Sequence, residues 1–335
     1  MGRENISTVL ESCRKGLHFA GQWADWSHVW LARRRRWQYH RNLKMGLLAS
    51  IIIPNLDSEL VDQTLSALGN QDLDGDTLEV LVVGRDTPKL VPRDGSVRFL
   101  ESGQPLGAGA ARNLGVQEAR SDKILFTDAD CRPATDWAAT LAAALEHSPV
   151  VGGSVRFSLS GNKWAVADNI ASFHELLDDR PAGSDSGQPV GSLNLGVRRQ
   201  AWDQVGPFDE NLITSEDFDW VLRARAAGLD IHFEPAAQVE HSDVRADRQA
   251  LEQHAAWYGR HFHTFRRKHP GVFDSGPTWQ SRHRLAMTRP LKAWVSSLQI
   301  FLDHPQLRPA WRALPGVVAF KMTWYRTILD HWQDS

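Results

Sequence analysis

Asp128 and Asp130 stand two residues apart at the end of a short apolar run, Lys123-Ile124-Leu125-Phe126-Thr127. In a strand, residues at i and i+2 project the same way. The pair is therefore expected to converge at the strand's carboxyl end, where open α/β sheets place their ligands. Two carboxylates that close repel unless a cation or a proton lies between them. A hard divalent ion, Mg2+ or Mn2+, carrying the diphosphate of a nucleotide answers that repulsion. A solvated strand end is the plainer alternative, because Asp-x-Asp arises often by chance. A second acidic pair, Glu216-Asp217, follows Ser215 and precedes Arg223, Arg225 and Gly228. That order predicts a helix with Ser215 as N-cap, acids in the first turn and glycine as the stop. Read alone, the acids there compensate the helix dipole.

The elements that must position these groups follow a repeating order. Leu47 to Ile53 is a continuous apolar run stopped by Pro54-Asn55, as a buried parallel strand would be. Residues 57–70 carry Leu60, Val61, Leu65 and Leu68 at helical spacing. Leu78–Val83 and Val97–Leu100 read as strands, and a glycine-rich start at Gly107 opens a helix through Ala119. Strand, helix, strand, helix, strand at this spacing predicts a right-handed parallel α/β sheet. There is no Gly-x-Gly-x-x-Gly straight after the first strand, which argues against a dinucleotide-binding dehydrogenase. Gly107 and Gly109 are explained as well by close backbone approach. Further on, Trp137–Leu145 reads as a helix, Val150–Phe157 and Leu229–Phe233 as strands, and residues 178–191 as a polar loop of lid length.

Composition narrows the classes. The chain has 335 residues, 42% hydrophobic and 23% charged, with a net charge of -2 that carries no nucleic-acid signature. Cys13 and Cys131 lack metal spacing and are too few for a disulfide framework, so a reducing compartment is expected. No signal-type h-region follows Met1, and no apolar run reaches the roughly 18–20 residues of a spanning helix. The expectation is a cytoplasmic protein, or one peripheral on the cytosolic face of a membrane. Tryptophan, 14 residues, concentrates at the two ends of the chain. It serves there either for ordinary helix packing or for a wet, apolar interface. Arg33–Arg36, His40, Arg41 and Lys44 make the first 45 residues basic, a solvated face or a contact for anionic lipid or an anionic acceptor.

The order of five motifs resembles that of inverting family 2 glycosyltransferases with the GT-A fold. The motifs are Ser50-Ile-Ile-Ile-Pro54, Ala111-Arg112-Asn113-Leu114-Gly115, Asp128-Ala129-Asp130, Val205-Gly206-Pro207-Phe208-Asp209-Glu210, and Glu216-Asp217 ahead of Arg-Ala-Ala-Gly. The resemblance covers roughly residues 47–245. It implies a Rossmann-like, mixed, mainly parallel sheet flanked by helices. The domains would be a basic, Trp-rich helical extension over 1–45, the GT-A domain over 46–245, and a helical C-terminal region over 246–335. It also implies a metal, Mn2+ or Mg2+, on the diphosphate of a nucleotide sugar, UDP- or GDP-linked. Asp130 would be the direct ligand, Asp128 would contact the ribose or the metal's waters, and His241 would add a further ligand. Asp217 would be the base that takes the acceptor proton, with Glu216 orienting the acceptor. Pro54, Asn55 and Asp86 would face the nucleotide. Arg112 would reach the nucleotide or brace the helix start. His241 read alone is a surface histidine after a strand.

The chain departs from the family's pattern where Val82-Val83-Gly84-Arg85-Asp86-Thr87 replaces an acidic pair followed by Gly-Ser. No Gln-x-x-Arg-Trp follows Asp217, so transfer of one sugar is expected rather than chain extrusion. From Arg282 to Arg326 the sequence is basic and amphipathic, with apolar Trp294, Leu298, Ile300, Phe301 and Leu302. Such a region fits an anionic membrane surface and a glycan or lipid-linked acceptor. The competing readings are a catalytically silent binding or assembly protein on the same fold and a sugar nucleotidyltransferase. The second lacks a lysine-bearing, glycine-rich phosphate loop near the first strand. A glycoside hydrolase would also use two carboxylates but has no need of the metal-type pair.

Overall fold

The computed structural model describes residues 46–184, 187, 189–270 and 281–332. The basic extension over 1–45 lies outside the described residues, as do three positions of the 178–191 loop. The strands are β1 (Leu47–Leu56), β2 (Thr77–Arg85), β3 (Arg98–Glu101), β4 (Lys123–Thr127), β5 (Cys131–Pro133), β6 (Val150–Arg156), β7 (Gly183–Ser184), β8 (Asn194–Arg198) and β9 (Ile231–His241). They form one sheet in the order β3-β2-β1-β4-β8-β6-β9-β5, with β7 paired to β9. β1 runs parallel to β2 and β4, β2 to β3, and β6 to β9. β8 is antiparallel to both β4 and β6, and β5 and β7 are antiparallel to β9. The sheet is thus mixed and mainly parallel, where strand–helix alternation alone predicts a parallel one.

The helices are α1 (Val61–Gly69), α2 (Ala108–Glu118), α3 (Trp137–Ala144), α4 (Lys163–Phe173), α5 (Arg199–Val205), α6 (Glu216–Ala226), α7 (Arg248–Lys268), α8 (Arg282–Asp303) and α9 (Leu314–Asp330). α4 and α5 carry no strong signal in the sequence and appear only in the structure.

Both faces of the sheet are covered, which is why β1 and β4 are apolar throughout rather than alternating. Ile51, Ile53, Val82 and Leu125 face one side and pack with Trp137, Leu141, Ile170 and Phe301. Ile52, Leu81, Val83, Ile124 and Phe126 face the other and pack with Trp202, Phe208 and Trp220. A third cluster, including Phe262, Phe265, Leu285, Val318 and Ile328, joins α7, α8 and α9. The C-terminal region is therefore packed helix, with its own apolar centre.

Three of the expected local details change. The strand carrying the first acidic pair stops at Thr127. Asp128 to Asp130 form a turn, closed by Cys131 N–H donating to the Asp128 carbonyl at 3.1 Å. Ser215 does not cap α6 with its side chain. Its backbone is left-handed, with φ 64°, and no side-chain capping bond forms. Residues 229–241 hold a single long strand rather than a strand and a following segment.

Candidate active site

The site gathers at the carboxyl ends of β1, β2 and β4. Its centre is Arg112, which the α2 helix carries inward to 3% exposure. One guanidinium nitrogen donates to Asp128 at 2.6 Å and another to Glu216 at 2.7 Å. Burial opposes a charge there, but Asp128 and then Glu216 outweigh it and raise the arginine's pKa, so the cation is permanent. Arg112 thus joins Glu216 to the start of the Asp128-Asp130 turn.

The motifs meet through specific contacts. Asn113 donates to the Phe208 carbonyl at 3.0 Å and accepts from the Phe208 N–H at 2.9 Å. It also donates to Glu210 at 2.9 Å. The Ala-Arg-Asn segment therefore holds the Gly-Pro-Phe-Asp-Glu segment against it. Gly109 has a packing reason. A Cβ there would lie 3.2 Å from Glu216 Cγ. Gly107 meets nothing within 4 Å.

The two acids at the start of α6 differ in exposure. Glu216 is buried, and burial followed by the charge of Asp217 pushes its carboxyl up to about 7, against the pull of Arg112. Asp217 is half-buried and open to solvent. Its Oδ2 accepts from Ser192 N–H and Ser192 Oγ, both at 3.0 Å. Its Oδ1 accepts from Phe218 N–H at 2.9 Å. A carboxylate has about four lone-pair sites. Bonds from the described residues fill three of them and leave one on Oδ1. No feature of the sequence marks Ser192 as a partner.

Beyond the acidic turn, β5 and β9 pair in a register that sets Cys131 opposite His241. This brings His241 Nε2 to 3.5 Å from Asp130 Oδ2. His241 is buried, and its Nδ1 lies 2.9 Å from Asn169 Oδ1. The Asn169 amide nitrogen donates to Asp243 at 3.0 Å, which fixes the amide with its oxygen toward the ring. That oxygen can only accept, so Nδ1 donates to it and Nε2 is the ring nitrogen turned toward Asp130. This is the second-sphere arrangement that orients a metal-binding imidazole. Burial works against ionisation of Asp130, but His241 and then Arg245 hold its carboxyl below the usual range. Asp128 is raised by burial and by the charge of Asp130, with Arg112 opposing.

Among the described residues no three His, Cys, Asp or Glu side chains converge on one point. Asp130 and His241 supply two donors, and Asp128 is turned to Arg112 instead. A two-residue donor set suits Mg2+ or Mn2+, which complete their shells with substrate phosphates and water. The residues present fit such an ion.

The residues expected to face the nucleotide, Asn55 and Asp86, bond within their own loops. Asn55 donates to the Arg85 carbonyl at 2.9 Å and accepts from Ser58 N–H at 3.1 Å. Asp86 is buried and accepts from Leu90 N–H and Val91 N–H, both at 3.0 Å. Pro54 lies within β1. A further acid at this edge is Asp57, which sequence reasoning passed over. Its hydrogen bonds to Arg85 and Thr87 hold it down to about 2.

Behind the site, Asp168 on α4 is buried and meets His254 of α7 at 2.7 Å. Asp219 of α6 is fully buried and accepts from Arg223, Lys268 and His269. These bonds tie the first turns of α6 to the end of α7. The end of α7 therefore braces the helix that carries the acidic pair, a role that sequence periodicity does not reveal.

Residues 50–199 match the model of the family described as Glycosyl transferase family 2. The glycosyltransferase AglE of Haloferax volcanii is 31% identical over 196 residues, 55% of this chain and 63% of AglE. The pre-mycofactocin glycosyltransferase of Mycobacterium tuberculosis is 31% identical over 159 residues, 46% of this chain and 33% of that protein. The chain thus spans less than two thirds of the length of these relatives. Among solved structures, the mannosyltransferase PcManGT from Pyrobaculum calidifontis, in complex with GDP-Man and Mn2+, superposes with a TM-score of 0.53 at 15% identity. That match covers 87% of this chain and 92% of PcManGT. S. aureus TarS superposes with a TM-score of 0.50, also at 15% identity, over 82% of this chain and 54% of TarS. The likeness extends to the fold, a mixed sheet with flanking helices.

Proposed function

Because residues 50–199 match the model of glycosyl transferase family 2, we propose that the chain moves one sugar from a nucleoside-diphosphate sugar to a hydroxyl acceptor with inversion at the anomeric carbon. The observation that carries this reading is the half-exposed Asp217 carboxylate, anchored by Ser192 beside the Arg112 bridge to the Asp128-Asp130 turn.

In this reading the acceptor hydroxyl donates to the open lone pair of Asp217 Oδ1. As the acceptor oxygen bonds to the anomeric carbon, the carbon–oxygen bond to the diphosphate breaks on the opposite face. The hydroxyl proton passes to Asp217. Glu216, held by Arg112, keeps the start of α6 in place. Asp130 and His241 would hold Mn2+ or Mg2+, with Asp128 reaching the ribose or the ion's waters. Bound there, the ion would neutralise charge growing on the departing diphosphate. Pro54, Asn55 and Asp86 shape the loops that would border the nucleotide. The GDP-Man and Mn2+ bound by PcManGT are ligands of the class proposed here. A UDP- or GDP-sugar is the proposed donor, and the proposed acceptor is a cell-surface or lipid-linked glycan met at the cytosolic face. Among the described residues no helix is long and apolar enough to cross a membrane.

A thermal-shift panel of UDP, GDP, TDP and ADP, with and without Mn2+, tests the reading. A metal-dependent rise with one nucleotide is expected. No rise with any of them would leave a silent relative of the family as the better description.

A further inference from the structure

The face of α8 turned away from the protein is apolar where a surface helix should be polar. Leu285, Ala293, Ser297, Ile300 and Phe301 make its inner face and are buried. Met287, Leu291, Trp294, Val295, Leu298 and Leu302 are exposed, from 42% at Leu298 to 84% at Met287. These six recur at i, i+4, i+7, i+8, i+11 and i+15, which confines them to an arc of about 100° on the side opposite the buried residues. A helix with one apolar stripe packs on its own core. A second, exposed stripe of this length leaves a surface that water disfavours.

The edge between the two faces is polar. Ser296, Gln299 and Asp303 line a pocket of about 520 Å3 with His174, Arg180 and Lys321. On that edge the exposed stripe is therefore separated from the buried face. Basic residues predominate along this stretch of chain, while Glu175 and Asp179 stand at the polar pocket. Residues 282–313 hold Arg282, Arg284, Arg289, Lys292, Arg308 and Arg312 against Asp303 as the one acid. Arg308 and Arg312 are exposed on the 3-10 segment that follows α8. Trp311 is 40% exposed beside them and stacks on Phe301 with centroids 4.9 Å apart.

An apolar stripe with tryptophan, rimmed by arginine and lysine, complements a bilayer that offers acyl chains beneath anionic headgroups. We infer that the outer face of α8, with Trp311, Arg308 and Arg312, seats the protein on an anionic lipid surface, α8 lying along the interface and not crossing it. The stripe enters the acyl boundary, and the basic rim meets the headgroups. A polar protein partner would leave the stripe wet, and an apolar one would leave the arginines without counter-charge. The inference does not depend on sugar transfer, because lipid binding is read without donor, metal or acceptor.

The test is flotation of the full chain with vesicles of phosphatidylcholine alone and with about 30 mol% phosphatidylglycerol added. The wild type should float with the anionic vesicles, and less so as salt is raised. Leu291→Glu combined with Leu298→Glu should cut the floated fraction about tenfold, with Tm and the nucleotide-induced thermal shift unchanged. Arg308→Gln combined with Arg312→Gln should weaken binding to anionic vesicles and flatten the salt dependence. Failure of the wild type to float, or equal flotation of the leucine variant, overturns the inference. A wild-type dimer in sedimentation that the leucine variant converts to monomer, without vesicle binding, also overturns it and assigns the face to a second copy.

Discussion

Arg112 and Glu216 are 104 residues apart in sequence and are joined at 2.7 Å in the buried centre of the site. The same guanidinium holds Asp128 at 2.6 Å. One cation thus fixes the distance between the acidic turn after β4 and the acidic start of α6. Replacing Arg112 with Met leaves Glu216 buried with no counter-charge. The expected cost is about 3 kcal/mol of stability, the range seen when one partner of a buried pair is removed. Urea denaturation of the variant measures it. A change under about 0.5 kcal/mol, typical of surface sites, would mean the bridge is not structural.

Asp217→Asn keeps the shape of the side chain and removes its capacity to take a proton. Turnover should fall by about 10²–10⁴, while the affinity for the nucleoside diphosphate stays within twofold or so. Steady-state kinetics and calorimetry separate the two. Retained turnover would move the base elsewhere.

Asn169→Leu deletes the group that orients His241 and leaves both proposed metal donors in place. The affinity for Mn2+ should drop by about 10–100-fold. Titration followed by electron paramagnetic resonance reads this directly, without catalysis. An unchanged affinity would remove His241 from the donor set.

His174 gives a pH dependence with a defined sign. Burial, then the charge of Lys321 and of His304, lowers its value from 6.5 to about 4. The unfolded chain therefore binds a proton more readily than the folded one between these values. Stability from this group is complete above pH 6.5 and is lost as pH falls toward 4. His174→Gln should flatten the decline of Tm over that window. A slope equal to the wild type's would place the acid sensitivity at other groups.

Lys321, on the far wall of the same pocket, is lowered by burial to about 8. Its contribution runs in the alkaline range, where stability should rise as pH increases from 8 toward 10.5. Lys321→Met should raise Tm at neutral pH, because a buried apolar side chain replaces a cation that burial penalises.

What the sequence determined by itself is the local grammar. The apolar runs of β1, β2 and β4, the helical spacing of α1 and α3 and the order of the five motifs are properties of neighbouring residues, and each appears where it was expected. The acids, Arg112 and His241 could be named because their types and their order are in the chain. Tertiary structure decided what each one touches. The reversal of β8 between β4 and β6 arises from strand pairing that leaves no mark on either strand's own pattern. Asn169, Ser192 and Asp243 are ordinary polar residues until folding brings them within 3.0 Å of His241, Asp217 and Asn169, respectively. Hydrogen bonds between distant residues depend on position in space, and a linear pattern records only the spacing along the chain.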